Sequence, residues 1–305
     1  MAKFSLSSEE LDSFHRNGYI GPFTLYEPNE MNEIFQSLRR QLVDTKNSIY
    51  QTDGKIYGVT NLANYDRHLD MPFLFEHVCR REIVDRLCSI LGDDVICWRT
   101  EFFPKYSGDE GTDWHQVKSF SAVSGKKSPS IQWPEDSGFS GAISVWCAFT
   151  ESTIDNGCLK IIPETHGIMF YDESKAISYN PNKINRITKN GEKRGFFGYD
   201  FSELQLDENW RPDESKAVSL QMNPGQFVIF WSTLLHGSHP HSGKTNKMRL
   251  GYTARYVPNS VKIYPNMKQL EEFGAKASLE KYRAVLVSGK DEYHHNKLVM
   301  ADFLK

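Results

Sequence analysis

The chain has 305 residues, of which 39% are hydrophobic and 25% charged, and these shares are ordinary for a globular protein. Its formal net charge of −3 gives no electrostatic reason to expect a nucleic acid or an anionic membrane as a partner. No stretch comes close to the roughly 18 consecutive apolar residues that a membrane-spanning helix needs, so we expect none.

The N-terminal third has the periodicity of helices. Ser7-Ser-Glu-Glu10 has the pattern of a capping box that starts a helix, and Gly18 ends it. A second helix is predicted from Asn29 into the forties, and a third from about Arg81 to Ile90. We therefore expect residues 1–93 to form mostly helical support.

Beyond residue 94 the apolar period changes to two, which predicts strands. Helices first and many strands afterwards indicate one domain over residues 1–305, mainly β, with a two-sheet barrel in 94–260 and flanking helices. The predicted strands are Val95–Lys105, Ala142–Thr150, Cys158–Ile162, Gln226–Trp231 and Met248–Val257.

Two further segments are assigned by their composition. The stretch of about 172–224 is polar with only short apolar pieces, which predicts an insertion or lid over one sheet. The remaining residues, 261–305, are expected to form a helical segment with a closing helix near Leu279 to Leu286.

The cysteines indicate a reducing compartment. There are five, an odd number, and they include no C-x-x-C pair. The first residues, Met1–Ser5, lack the pattern of a signal peptide. We expect reduced, mostly buried thiols in a cytoplasmic protein.

The tripeptide His115-Gln116-Val117 carries the strongest functional signal. Non-haem iron sites normally combine a His-x-Asp/Glu pair with a distant histidine, which His236 would supply here. Val117 takes the position of the carboxylate, and an aliphatic side chain cannot ligate a metal. A bound iron would therefore keep one coordination position for another ligand, and a halide is the natural candidate.

An arginine supports the same interpretation. Arg249 follows His236 by thirteen residues, in the next predicted strand. A planar guanidinium deep in the barrel suits the distal carboxylate of a keto-diacid such as 2-oxoglutarate. Alone, Arg249 could form an ordinary ion pair, and His115 could be a hydrogen-bonded loop residue. Together the three residues favour an iron and 2-oxoglutarate site.

His239 and His241 lie close to His236, which raises the alternative of a zinc cluster. Zinc sites usually draw four ligands from His and Cys at short spacing, and the sequence offers no second cluster. Pro240 between the two favours a turn. We expect both histidines at the surface or supporting the site from outside.

Several long motifs resemble the aliphatic halogenases of nonribosomal peptide biosynthesis, above all the threonine halogenase of the syringomycin pathway. The likeness runs nearly end to end and implies a double-stranded β-helix (cupin or jelly-roll) core of the phytanoyl-CoA dioxygenase-like superfamily. The segments that carry it are Thr60–Asp70, Trp98–Tyr106, Gly108–Gln116, Arg194–Asp200, Phe230–Leu234 and Pro240–Gly243.

The resemblance implies roles for individual residues. His115 and His236 would be the metal ligands, and Arg249 would hold 2-oxoglutarate with help from Thr112 and Trp146. Arg255 and Ser144 would support the halide beside Val117, and the path to the substrate would be lined by Glu101, Phe196 and Phe197.

The resemblance also implies cofactors and a partner. The cofactors would be Fe(II), 2-oxoglutarate, O2 and chloride, and the substrate would be an aminoacyl thioester on a phosphopantetheinylated carrier protein. Such a carrier is acidic and would favour exposed basic residues. These would come from the insertion, although an ordinary solvated charge run is the alternative; the residues are Lys183, Arg186, Lys189, Lys193 and Arg194.

Two positions differ from the halogenase pattern and keep alternatives open. Val117 stands where the family has alanine or glycine, and Ala122 stands where the syringomycin enzyme has asparagine. Both differences favour a hydroxylase or desaturase in which water fills the vacant position. A catalytically silent carrier-binding relative and a cupin with another metal are further alternatives.

Overall fold

The helices lie at the N-terminal end of the chain, as predicted. The computed structural model describes residues 2–50, 62–121, 128–138, 141–180, 187–189, 192–194 and 197–300, of which 187–189 and 192–194 by their backbone alone. In these residues the α-helices are α1 (Ser8–Asn17), α2 (Pro28–Leu42), α3 (Pro72–Val78) and α4 (Arg81–Leu91).

The predicted start and end of the first helix are confirmed. The Ser7 hydroxyl accepts a hydrogen bond from the Glu10 backbone N–H, and the Glu10 carboxylate accepts one from the Ser7 N–H. Gly18 ends the helix with a φ of 80°, which glycine adopts without steric cost. α3 was not predicted, because its few residues show too little periodicity.

Two sheets form most of the described structure, and their strands pair antiparallel except for the parallel pair β16 and β17. One sheet has seven strands in the order β1-β10-β5-β12-β2-β16-β17, and the other has four in the order β3-β11-β6-β9. The strands are β1 (Tyr19–Thr24), β2 (Val95–Lys105), β3 (Thr112–His115), β4 (Ile131–Gln132), β5 (Ile143–Ala148), β6 (Leu159–Ile162), β7 (Ile187–Lys189), β8 (Glu192–Arg194), β9 (Val218–Leu220), β10 (Gln226–Trp231), β11 (Leu235–Ser238), β12 (Arg249–Pro258), β13 (Lys262–Ile263), β14 (Gln269–Glu272), β15 (Ala275–Ser278), β16 (Ala284–Ser288) and β17 (Leu298–Met300).

This arrangement is the predicted double-stranded β-helix, or jelly-roll, with few helices. The register of the long sheet decides which side chains share a face. Arg255 lies opposite Ser144 on one side and Arg99 on the other, and Thr253 lies opposite Trp146 and Glu101. Alternate residues of β12 therefore line the cavity between the sheets, and the residues between them face the other way.

The helices cover the outer face of the long sheet. Leu38 of α2 and Leu87 of α4 are buried in one apolar cluster with Val145, Tyr252 and Tyr256 of the strands. Burying this outer layer removes a large apolar area from water and stabilises the sheet. The inner face is then available for the polar residues of the site.

The C-terminal prediction was wrong. Instead of the expected closing helix, Ala284–Ser288 forms β16 of the long sheet, which pairs with β2 on one side and with the edge strand β17 on the other. The described residues of 261–300 contain five strands and no helix. The run Val285-Leu-Val287 fits a buried strand as well as a helix, and the unpaired edge of β2 decides between them.

The predicted insertion ends before residue 218, whereas it was expected to continue to about residue 224. Val218–Leu220 forms β9, which pairs with β6 and belongs to the four-stranded sheet. Before it, β7 and β8 pair as a separate hairpin. In the part of the chain that the structure describes, no helix is long and apolar enough to span a membrane.

Candidate functional site

A pair of histidines lies on the neighbouring strands β3 and β11 of the short sheet. His115 ends β3, and His236 lies directly opposite it on the neighbouring strand β11. The centroids of the two imidazole rings are 4.1 Å apart. The antiparallel ladder thus brings together two side chains that are far apart in the sequence.

Hydrogen bonds fix the tautomer of both rings. Nδ1 of His115 donates to the backbone oxygen of Asp113 at 2.8 Å, and Nδ1 of His236 donates to that of Leu234 at 2.7 Å. The lone pair of each neutral ring is then on Nε2, the usual arrangement in metal-binding histidines.

Burial keeps both imidazoles neutral. It lowers the pKa of His115 to about 4, against the smaller opposing effect of its hydrogen bond to Asp113. Burial and then the neighbouring His115 lower the pKa of His236 well below its ordinary value. Neutral rings can ligate a metal at physiological pH without first losing a proton.

The donor set fits a metal that takes two protein ligands. Among the described residues no group of three or more His, Cys, Asp or Glu side chains could hold a metal, which agrees with a valine in the third position. Val117 is half-buried, and its backbone N–H donates to the oxygen of Ser232 at 2.9 Å. Two imidazoles with room for small ligands suit iron, whereas structural zinc needs four protein ligands.

The predicted arginine lies at one end of the cavity. Arg249 is buried, and its guanidinium donates to the backbone oxygens of Gly157 at 3.1 Å and Phe103 at 2.8 Å. It also lies 5.5 Å from the ring of Trp146. A side chain at Gly251 would collide with the Trp146 indole, so glycine is required there.

Arg249 has a cationic neighbour that the sequence did not reveal. Lys105 of β2 is its direct partner across the strands and is only 4% exposed. The ammonium donates to the backbone oxygens of Glu110 and His239 and to the Ser238 hydroxyl, at 2.7, 3.0 and 3.0 Å. Lysine in a strand usually faces water, so this burial could not be predicted from the sequence.

Arg255 belongs to a buried network of balanced charges. One oxygen of Glu101 forms an ion pair with Arg255 at 3.0 Å and the other with Arg99 at 2.8 Å, while Arg99 also pairs with Glu272 at 2.6 Å. Burial would raise the pKa of Glu101, but the two guanidinium groups outweigh it and lower that pKa. Glu101, expected on the substrate path, is thus held in the network and orients Arg255.

One nitrogen of Arg255 is an unsatisfied donor that an anion could accept from. Its Nη1 is buried without a hydrogen-bond partner among the described residues. Its positive charge also contributes, after burial, to the lowered pKa values of His115 and His236. A buried donor of this kind costs about 1–3 kcal/mol unless something accepts from it.

Fewer contacts are described for the other predicted site residues. Ser144 is buried opposite Arg255, and Thr112 is half-buried with its backbone N–H donating to the Ser238 hydroxyl at 3.2 Å. The Phe197 ring lies 6.0 Å from that of Phe103. Phe196 and Ala122, like Lys183 and Arg186, lie outside the described residues.

The two additional histidines take no part in a metal cluster of the described residues. Nε2 of His239 shares a hydrogen bond with the Ser219 hydroxyl at 2.9 Å. His241 is buried rather than at the surface, with Nε2 3.1 Å from the backbone oxygen of Lys247. The expected surface position is therefore wrong for His241, and a supporting role for the two histidines stays a prediction.

Gln116 is a second residue whose role the sequence did not reveal. It is fully buried, and its side-chain amide donates to the oxygens of Thr165, Ile168 and Thr233 and accepts from the N–H of Phe170. Lying between His115 and Val117, it fixes the backbone that carries the site. Its place in the tripeptide was the only signal available.

Comparison with known proteins identifies the family. Residues 14–249 match the family described as phytanoyl-CoA dioxygenase (PhyH). The chain belongs to the PhyH family. The match extends over both histidines and ends at Arg249, so it includes the proposed metal ligands and the predicted arginine.

Relatives of this PhyH-family chain agree with that assignment. A solved structure described as CytC3 is 43% identical, with a TM-score of 0.74, over 98% of this chain and 94% of that chain. Another, described as CytC3 with Fe(II) and alpha-ketoglutarate, is 42% identical, with a TM-score of 0.73, over 97% and 93%. A Caenorhabditis elegans protein described as a probable phytanoyl-CoA dioxygenase is 23% identical, over 86% of this chain and 79% of that protein.

Proposed function

We propose that this PhyH-family protein is an Fe(II)- and 2-oxoglutarate-dependent halogenase. It would chlorinate an unactivated carbon of an aminoacyl group tethered to a carrier protein in nonribosomal peptide biosynthesis. The observation that carries the proposal is Val117, which occupies the position of the carboxylate ligand beside two correctly oriented histidines.

The histidine pair would hold the metal. His115 and His236 offer their Nε2 atoms, and the carbonyls of Asp113 and Leu234 keep both rings oriented. Bound Fe(II), with 2-oxoglutarate and O2, supplies the oxidising power to break a C–H bond. The protein supplies position, a buried cavity and the choice of the ligand that fills the remaining place.

The cationic end of the cavity would hold 2-oxoglutarate. Arg249 and the adjacent Lys105 lie side by side, and no carboxylate of the described residues forms an ion pair with either. A carboxylate bound there would compensate charge that the apoprotein leaves unbalanced. The 42% identity to CytC3, described with Fe(II) and alpha-ketoglutarate, supports this part of the proposal.

The halide would lie beside Val117. An anion there would be near the unsatisfied Nη1 of Arg255, which can donate to it directly or through water. Ser144, the cross-strand neighbour of Arg255, adds a hydroxyl on the same face. A carboxylate ligand would exclude a halide from this place, whereas valine leaves it available.

Chloride titration tests the proposal without knowledge of the substrate. Chloride is added to the anaerobic protein–Fe(II)–2-oxoglutarate complex while its visible charge-transfer absorption is followed. We expect a saturable spectral shift with chloride and none with an equal concentration of sulfate. A normal 2-oxoglutarate spectrum that does not respond to chloride would reject the halogenase.

A hydroxylase or desaturase is the second candidate, and the size of Val117 favours it. The side chain is larger than the alanine or glycine of the halogenases that the sequence resembles, and it packs against a buried apolar cluster. A narrower coordination position beside Val117 would admit water more readily than chloride. The same titration distinguishes the two, since water gives no chloride-dependent shift.

The carrier protein is proposed from the sequence motifs and from charge. The resemblance to the syringomycin threonine halogenase favours an aminoacyl thioester on a phosphopantetheine arm. The hairpin of β7 and β8 carries Lys189, Lys193 and Arg194, which would complement an acidic carrier surface.

A further inference from the structure

The inner face of the long sheet carries two groups of charged residues that differ in their balance. At one end Arg99 and Arg255 are paired with Glu101 and Glu272, so two cations meet two carboxylates. At the other end Lys105 lies directly opposite Arg249, and both are buried. Like charges in register across two strands repel each other, and burial increases the cost.

The surroundings of Lys105 hold it in place but do not neutralise it. Its hydrogen-bond acceptors are two backbone oxygens and a hydroxyl, all uncharged. Gly157 allows this placement, since a side chain there would collide with the Lys105 methylenes. The negative charges of Asp109 and Glu110 favour the charged form of Lys105, but less than burial and Arg249 disfavour it.

We propose that Lys105 takes up a proton from solvent when 2-oxoglutarate binds, and so provides the second positive charge for its distal carboxylate. Arg249 makes the direct contact, and Lys105 acts beside it through charge and through its hold on β11. The inference rests on the proposed function, because it requires 2-oxoglutarate to be the ligand of this end of the cavity.

The pKa of Lys105 lies in the pH range in which proton uptake on binding can be measured. Burial, followed by the positive charge of Arg249, lowers the pKa of Lys105 to about 7. An adjacent carboxylate reverses that repulsion and raises the pKa in the complex. Below pH 7 the ammonium is already formed; above it, binding has to be accompanied by proton uptake.

The other titratable neighbours do not change charge in this window. Burial raises the pKa of Cys158 to about 11, so its thiol stays protonated. Burial, followed by the charge of Lys160, lowers the pKa of His239, so its ring stays neutral above pH 7. Arg249 keeps its charge although burial lowers its pKa to about 10. Lys105 is therefore the group to which an uptake near pH 8 would be assigned.

Calorimetry of 2-oxoglutarate binding to the anaerobic Fe(II)-loaded protein tests the proposal. Binding heats in buffers of different ionisation enthalpy give the number of protons taken up. We expect uptake to approach one proton near pH 8, and the Kd to rise about tenfold between about pH 7 and about pH 8.5. The charge-transfer absorption measures the same Kd independently.

Variants assign the proton to this residue. Lys105→Arg keeps the charge permanently, so it should bind 2-oxoglutarate without proton uptake and with a Kd that does not change over this range. Lys105→Met should bind about tenfold more weakly below pH 7, also without uptake. Lys160→Met is the matched control, because Lys160 is largely buried but is paired with Glu214, and it should behave as the wild type.

The outcomes distinguish a failure of the role of Lys105 from a failure of the proposed function. If 2-oxoglutarate binds without proton uptake, or if Lys105→Arg retains the wild-type pH dependence, the role of Lys105 is wrong while the proposed function stands. If 2-oxoglutarate does not bind at any pH, the proposed function fails and this inference with it. Should Lys105→Met not fold, wild type and Lys105→Arg alone decide.

Discussion

Val117 is the residue on which the choice of reaction depends. Its backbone is fixed by the hydrogen bond to Ser232, so a substituted side chain should project from the same place. Val117→Asp would restore a carboxylate there, and we expect chloride affinity to fall by at least about tenfold, since an anion now occupies the site or repels the halide. Iron affinity should rise, because the site gains a third protein ligand.

The measurement is the chloride titration of the Fe(II)–2-oxoglutarate complex, with Val117→Thr as control. Threonine has nearly the same shape as valine and no charge, so its chloride midpoint should stay within a few-fold of wild type. An unchanged midpoint in Val117→Asp would mean that the halide lies somewhere other than beside this residue.

The site residues differ in whether their own chemistry allows them to be predicted from the sequence. His115, His236 and Arg249 were predicted because each has a side chain suited to one task, and the missing carboxylate could be read directly. Lys105 was not predicted, because its importance comes from burial beside Arg249, and that neighbour is supplied by the register of two distant strands.

The β7–β8 hairpin is the element that we expect to meet the carrier protein. Its strands run Ile187–Lys189 and Glu192–Arg194, and they contain three of the basic residues predicted for docking. Replacing Lys189, Lys193 and Arg194 together with glutamine should raise the apparent KM for the charged carrier about tenfold and leave kcat nearly unchanged. The reason is that lost charge complementarity slows association more than it affects the reaction.

The experiment measures turnover against carrier concentration at low and moderate salt. A control triple of exposed lysines, Lys268, Lys281 and Lys290, changes the net charge equally and should leave KM near its wild-type value. Equal effects of the two triples would indicate a general charge effect, and an unchanged KM in the hairpin variant would reject the docking role.

Elements differ in how far their own sequence determines them. α1 was predicted to its caps, because a capping box and a terminal glycine act within the helix itself. The segment Leu279–Leu286 was misassigned, since short apolar runs fit helix and strand alike. Pairing with β2 settled it, and that pairing depends on residues almost two hundred positions away.

Stability of the whole molecule should fall in acid because histidines are buried in the neutral form. His77 of α3 is fully buried against Tyr26, and burial, then Arg80, lowers its pKa to about 3; burial does the same for His68. In the unfolded chain a histidine titrates near pH 6.5. The unfolded state therefore binds more protons below pH 6.5, and stability is lost as the pH falls towards 3.

His77→Phe should reduce this pH dependence. Each such histidine contributes up to about 1.4 kcal/mol per pH unit to the loss of unfolding free energy. Urea unfolding of the metal-free protein between about pH 6 and about pH 4.5 should thus show a smaller slope in the variant. His15→Phe, at an exposed histidine of α1, is the control, and equal slopes in all three proteins would contradict the prediction.

Asp66 acts in the opposite direction. Burial raises its pKa to about 7, against the effects of Arg99 and of hydrogen bonds from Thr100 and Tyr50. The folded protein keeps this proton below pH 7, while an unfolded aspartate releases it above about pH 4. This contribution to stability is present at low pH and is lost as the pH rises through 7, so it partly offsets the buried histidines.

The chemical types of the site residues and the periodic elements can be read from the amino-acid sequence. Two histidines, a valine in place of a carboxylate and a distant arginine are readable one residue at a time, and helix caps and strand alternation are local patterns. Three features emerge only on folding: His115 faces His236, Arg255 keeps an unsatisfied donor, and Lys105 is buried beside Arg249. These features depend on strand register and loss of solvent, which arise between segments far apart in the chain.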